Sequence, residues 1–263
     1  DIAGRWGDQP ILEQVLAVGK VADDVQSARI HLKPLFAVPN DIKRNIKLNA
    51  SAIGCCSEQI WSGTNDITLS REQPEGEVVI DIYQPELWYP RGYGDPHLYH
   101  LTLTAEEDGN EICRWNGKIG LRKVELLQPP HPQSGRYFHI QINDQIIFWK
   151  GGNWVPPEMS AHEVAPERVK RLVELAVEQN MNALRIWGGG VWAGHVLLDL
   201  CDENGIMIWH DMLFACAKYP ADRPEFYAEV GREAEWGIRE FSRHPSLIVW
   251  SRNDELEWGH WSW

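Results

Sequence analysis

No stretch of the 263 residues approaches the ~20 consecutive apolar positions that a membrane-crossing helix needs, so no span of that kind is expected and no membrane partner is read. Basic residues are also in short supply. Lys and Arg number 25 against 38 Asp and Glu, giving a net charge of −13. Nucleic-acid binding ordinarily draws on a basic face, so a nucleic-acid partner is not expected. Cysteine is sparse: the five thiols at positions 55, 56, 113, 201 and 216 are an odd number and set no disulfide framework. They also show no metal-ligand spacing, Cys55-Cys56 being too tight for a zinc knuckle, and are read as buried or free thiols. Neither a metal nor a cofactor is expected. The opening Asp1-Ile2-Ala3-Gly4-Arg5-Trp6 lacks the basic start and apolar stretch of a secretory leader. It also lacks Met, so the chain is expected to begin inside a longer protein.

Hydrophobic residues make up 43% of the chain, enough to bury a core. Tryptophan is abundant, with 14 residues against six Phe and seven Tyr. Ten of the 14 lie at or after position 149, and Trp187, Trp209 and Trp250 fall at expected strand ends. A flat indole with one polar handle serves a core equally well, but this clustering also suits a cleft that stacks against sugar rings.

Two halves of the chain carry different periods. Residues 1–126 read as short strands separated by Pro, Gly, Asn and Asp clusters: Gln26–Leu32, Glu77–Ile82 and the strictly alternating Tyr99–Thr104, with Leu12–Val18 before them. That pattern predicts an antiparallel sandwich. Residues 127–263 read as alternating strand and helix. The expected strands are Ile146–Lys150, Met181–Trp187, Ile206–His210 and Ser246–Ser251. Between them, Pro166 opens a helix with Val169, Leu172, Val173 and Ala176 on one face, and Val196–Asn204 stops at Gly205. Asp222 and Glu225 have capping-box spacing before a third, longer helix that ends near Pro245. Four such units fill half of an eight-fold barrel, which takes about 250 residues. A small open parallel sheet would show the same periodicity.

The expected strand ends are where the chemistry-bearing residues gather. They lead into Gly151-Gly152-Asn153-Trp154, Trp187-Gly188-Gly189-Gly190, His210-Asp211 and Asn253-Asp254-Glu255. Carboxylates, amides and Trp converging at one end suit a hydroxyl-rich ligand. The three glycines lack both dinucleotide spacing and a phosphate-binding Lys, so phosphate is not the ligand read here.

Several ordered stretches, Phe148–Pro156, Asn182–Gly190, Leu200–Ile206, Phe214–Pro220 and His244–Leu247, resemble the β-mannosidase branch of glycoside hydrolase family 2. Upstream, Glu86–Gly94 and Lys118–Arg122 look like the end of that family's sandwich domain. The resemblance implies an immunoglobulin-like β-sandwich followed by the N-terminal half, strands 1–4, of a (β/α)8 TIM barrel. It also implies a retaining glycosidase with an acid/base after strand 4 and a nucleophile after strand 7. Glu255 matches the acid/base, and no strand 7 lies in these residues. Trp187, Asp211, Asp254, Asn253 and Trp154 are carried over as substrate-binding positions, and Arg185 as a residue that orients carboxylates. This family usually has Asn before the acid/base, whereas here Asp254 stands there, with Arg252 and Asn253 preceding it.

The implied substrate is a β-linked oligosaccharide ending in mannose. β-Galactosidase, β-glucuronidase and exo-glucosaminidase specificities lie close to it, and a non-catalytic carbohydrate-binding or scaffold piece is the reading from another class. Four barrel strands would leave two unpaired edges, so a complementing polypeptide, the remainder of the same protein, or self-association through those edges is expected.

Overall fold

The computed structural model describes residues 9–39, 42–57, 59–158 and 164–258. These pack as two compact units, one of residues up to Leu87 with His97–Arg122, the other of Trp88–Pro96 with the residues from Lys123 onward.

The first unit is all β. Strands β1 (Ile11–Val21), β2 (Ser27–Ala37) and β5 (Val78–Tyr83) form one antiparallel sheet in the order β1-β2-β5. Strands β3 (Arg44–Gly54), β4 (Ile60–Leu69), β6 (Tyr99–Glu107) and β7 (Asn110–Ile119) form the second, in the order β4-β3-β6-β7. Alternation places Ile30 and Leu32 of β2, Leu48, Ala50 and Ala52 of β3, Ile80 and Ile82 of β5 and Leu101 and Leu103 of β6 in one shared core. Each large aliphatic side chain buried this completely contributes about 1.5–3 kcal/mol. The edge strands β4 and β7 are polar, which discourages edge-to-edge pairing.

The second unit opens with a small antiparallel sheet of β8 (Val124–Leu127), β9 (His139–Ile142) and β10 (Gln145–Ile147). Here one expectation fails. The apolar run 146–150 is no buried barrel strand. Its first residues belong to a hairpin arm paired antiparallel with β9, through a turn at Asn143 and Asp144 (φ 47° and 65°). Asn and Asp accept that left-handed geometry readily, as primed hairpin turns require. Ile146 and Phe148 are consequently exposed.

The parallel strand comes just after, as β11 (Gly151–Trp154). Its Gly-rich composition reads as a loop, but Gly151 is dictated by close approach: a Cβ there would lie 1.7 Å from the Ala183 carbonyl oxygen. Strands β12 (Ala183–Ile186), β13 (Met207–Asp211) and β14 (Leu247–Ser251) follow, all parallel, in the order β11-β12-β13-β14. Among the described residues β11 pairs only with β12 and β14 only with β13.

Among the described residues three helices connect these strands: α1 (Pro166–Glu178), α2 (His195–Asn204) and α3 (Pro224–Phe241). Val169, Val173 and Ala176 of α1 and Leu197, Leu198 and Cys201 of α2 join Leu184, Ile186 and Ile208 of the sheet in a second core. Gly205 ends α2 at φ 67°, the left-handed cap read from the sequence. The capping box expected before α3 is absent. Arg223 is the cap residue, no side chain bonds the first turn, and Pro224, whose fixed φ suits the first helical position, starts the helix.

Buried polar groups lock α2 to β14. His244 Nδ1 lies 2.6 Å from Asp202 Oδ2, Ser246 N–H donates to Asp202 Oδ1 at 3.0 Å, and Trp88 donates its indole N–H to the Asp202 carbonyl. Asp202 and His244 are 1% and 0% exposed, so removing either partner would strand a buried polar group.

Candidate active site

The C-terminal ends of β12, β13 and β14 meet at one guanidinium. Arg185, on β12, reaches Asp211 Oδ2 at the end of β13 with Nη2 at 2.6 Å, and Asp254 Oδ1 beyond β14 at 2.5 Å. Asp254 also accepts from the Trp187 indole N–H at 2.8 Å. The first cause of its lowered pKa is the hydrogen bond from Arg185, which outweighs the opposing effect of burial. Burial alone would lower the Arg185 pKa, but the bonds to Asp254 and Asp211 raise it instead.

Asp211 is completely buried. Its oxygens also accept from Gly188 N–H at 3.2 Å and Trp209 Nε1 at 3.2 Å. With three internal donors it serves to hold Arg185 and the 187–189 loop. Gly188 sits so close to the following loop that a Cβ would lie 2.5 Å from the Phe214 carbonyl oxygen.

The segment after β14 is pinned to the loop after β13. Asp254 N–H donates to the Phe214 carbonyl at 2.9 Å, and Cys216 N–H donates to the Asp254 carbonyl at 3.0 Å. This brings Cys216 Sγ to 3.5 Å from Asp254 Oδ2 and 3.8 Å from Glu255 Oε2. Cys216 and Glu255 both adopt left-handed backbone, φ 48° and 60°. Each non-glycine residue held there costs about 1 kcal/mol or more, a strain that the paired loops hold in place. Glu255 is exposed. Asn253 accepts from Leu256 N–H at 3.0 Å and so caps the turn that follows Glu255.

A cleft of about 670 Å³ opens beside these groups, lined by Arg185, Trp149, Trp209, Asn253, Asp254 and Glu255 among others. Among the described residues, the buried Trp149 indole N–H in its wall has no hydrogen-bond partner. Trp187 and Trp154 do not line this cleft. They line a neighbouring apolar cavity of about 250 Å³, and Trp187 is tied to the first site through Asp254. Of the six positions read as functional, the structure thus gathers Asn253, Asp254 and Glu255 in one cleft, with Asp211 behind Arg185, and Trp154 and Trp187 on the neighbouring cavity. Trp149 and Cys216 were not singled out for the site, although both lie in stretches, Phe148–Pro156 and Phe214–Pro220, that carry the family resemblance. Cys216, Asp254 and Glu255 offer ligand atoms within 4.8 Å of one another, a set that could hold a divalent cation.

His210, one residue before Asp211, is fully buried between two backbone groups. Ala193 N–H donates to its Nε2 at 3.1 Å, so the proton sits on Nδ1, which donates to the Asp211 carbonyl at 2.6 Å. Burial is the main cause that holds its pKa below the ordinary 6.5. The unfolded chain therefore binds the proton first as pH falls. The stability from neutral His210 is complete above about pH 6.5 and is lost as pH drops from there through the lower folded-state value. The urea midpoint should fall between about pH 7.5 and about pH 5.5, and His210→Gln should flatten that dependence. An unchanged slope in the variant would assign the effect to other groups.

Residues 12–122 match the family model described as glycosyl hydrolases family 2. Beta-mannosidase of Capra hircus is 42% identical over 221 residues, which is 82% of this chain and 25% of that protein. Beta-mannosidase of Bos taurus is 37% identical over the same length. The crystal structure of Beta-D-Mannosidase from Dictyoglomus thermophilum superposes with a TM-score of 0.84 at 30% identity, covering 95% of this chain and 30% of that one. The chain belongs to glycosyl hydrolase family 2. It is β-mannosidase-like in sequence and in fold, and it spans about a quarter of the length of these curated relatives. A Parabacteroides merdae β-glucuronidase shares the fold alone, with a TM-score of 0.73 at 19% identity. Within the family 2 architecture, β1 to β7 form the sandwich and β11 to β14 the first half of the (β/α)8 barrel.

Proposed function

We propose that this chain supplies the acid/base half of a retaining β-mannosidase site. The observation that carries the reading is the delivery of Glu255 and Asp254, by the end of the fourth parallel strand, into the cleft that also holds Arg185 and Trp209. The end of a barrel strand is where this fold places catalytic groups. The naming of the relatives as β-mannosidases supports the sugar.

In the proposed reaction Glu255 donates its proton to the glycosidic oxygen as the bond to the anomeric carbon breaks. A carboxylate about 5–5.5 Å away attacks that carbon from the opposite face and holds the sugar covalently. Glu255, now ionised, takes a proton from water, which displaces the carboxylate and restores the original anomeric configuration. The second carboxylate comes from outside these 263 residues, either from the remainder of the same protein or from a complementing polypeptide. Asp254, held by Arg185 and Trp187, keeps free lone pairs with which to accept from a sugar hydroxyl. Trp209 and Trp149 offer apolar wall, and the Trp149 N–H a further donor. No step draws on a metal or a cofactor.

The test is a panel of aryl β-mannoside, β-galactoside, β-glucuronide and β-glucosaminide, with the full-length protein as enzyme. The mannoside should be turned over at least about tenfold faster per molar enzyme than any other, a margin of about 1.4 kcal/mol in transition-state binding. Preference for another sugar would overturn the specificity, and turnover of none would overturn the enzymatic reading in favour of a carbohydrate-binding role.

A further inference from the structure

The sandwich unit gathers a second set of reactive side chains. The loop that joins β3 to β4 starts with Cys55 and Cys56, whose sulfurs lie 3.3 Å apart. His97, two residues before β6, brings Nδ1 to 3.3 Å from Cys56 Sγ and 3.6 Å from Cys55 Sγ. Glu86 adds a carboxylate oxygen 4.0 Å from Cys55 Sγ. Its backbone is fixed by donating N–H to the Tyr99 hydroxyl at 2.7 Å. The preceding Gly54 leaves that carboxylate its room, since a Cβ there would lie 3.0 Å from Glu86 Oε2.

From these distances we infer a zinc site of two thiolates, one imidazole and one carboxylate: Cys55, Cys56, His97 and Glu86. Zinc binds sulfur at about 2.3 Å and nitrogen at about 2.0–2.1 Å, so a tetrahedral site has S–S edges of about 3.8 Å and S–N edges of about 3.6 Å. The Cys55–His97 separation, 3.6 Å, already matches, and the Cys56–His97 one, 3.3 Å, is about 0.3 Å short. The sulfurs must part by about half an ångström, and both cysteines are exposed enough to rotate. Two sulfurs and an imidazole select a borderline or soft ion over magnesium or calcium, which want an all-oxygen cage.

Two other sets of ligating groups are less suited. The donors of Asp202 and His244 are already bonded to each other, and Cys216 with Asp254 and Glu255 lies in the proposed active site. Spacing in the sequence conceals the sandwich site, because His97 stands 41 residues beyond Cys56. The bound ion would clip the tip of the β3–β4 hairpin to the segment entering β6, adding its binding energy to the stability of that sheet.

The experiment titrates Co²⁺ into the reduced 263-residue chain without oxygen and follows the thiolate-to-cobalt charge-transfer absorption, then displaces the cobalt with Zn²⁺. One equivalent should saturate the band. Cys55→Ser and Cys56→Ser should each abolish it, His97→Gln should weaken binding at least about tenfold, and Cys216→Ser should leave it intact. Circular dichroism of each variant separates loss of binding from loss of fold. A band that survives Cys56→Ser in a folded variant, one that disappears in Cys216→Ser, or no band at all would overturn the assignment. So would loss of both thiols to a vicinal disulfide with no cobalt bound.

Discussion

In the full-length protein, Glu255→Gln should lower kcat/KM for a mannobiose-type substrate by about 10²- to 10⁴-fold, the usual contribution of a positioned general acid. The same variant should lose less than about tenfold in kcat/KM toward an aryl β-mannoside whose phenolate leaves without a proton, because this parameter reports the steps up to glycosyl transfer. Its kcat should still fall, since water then attacks without base assistance. The physical basis is placement. Glu255 is exposed in the cleft, and the Asp254 backbone beside it is paired on both sides with the 214–216 loop, which holds the proposed acid in position. Equal losses on the two substrates would speak against an acid role and for a binding one.

Arg185→Met should be the most destabilising single change at the site. It removes the cation from Asp211, which is 0% exposed, and from Asp254, whose side chain is 14% exposed. Leaving a buried carboxylate without its partner costs about 3–5 kcal/mol. Among the described residues, Gly188 N–H and the Trp209 indole would remain as the donors to Asp211. The expected result is a marked fall in the denaturation midpoint followed by tryptophan fluorescence. Adding Asp211→Asn to that variant should recover part of the loss, because a neutral amide no longer has to be compensated. Additive losses in the double variant would show that the pair carries no coupling.

These two predictions rest on features of unequal visibility in the sequence. The fourth strand, 247–251, announces itself as an apolar run that ends in an amide and two acids, and helices α1 and α2 are visible through their periodicity and their Pro and Gly boundaries. The first barrel strand was hidden. Gly151–Trp154 has the composition of a loop, and its glycine answers a backbone contact with Ala183 that only the folded chain creates. Strands β3, β4 and β7 were unread for a different reason. β3 does alternate, with Ile46, Leu48, Ala50 and Ala52 turned to the core, but two of those four are small alanines that make a weak apolar signal, and β4 and β7 are polar edges.

At the site, a strand-end acid could be found from position alone, whereas Cys216 arrives through loop pairing, and Asp211 is withdrawn from the cleft by donors that are distant in sequence. Arg185 as a holder of carboxylates was legible, because a lone cation on a barrel strand needs buried anions to stay there.

The proposed division of labour between Glu255 and a carboxylate outside these residues is tested most directly by azide rescue of Glu255→Ala in the full-length protein, with an activated aryl β-mannoside as substrate. Azide needs no base, so it should attack the covalent intermediate at the anomeric carbon, displace the enzyme carboxylate and raise turnover. The product should be the β-mannosyl azide, the result of two inversions. An α-mannosyl azide would make Glu255 the nucleophile instead, and a residual rate that azide leaves unchanged would contradict an acid/base role for Glu255 altogether.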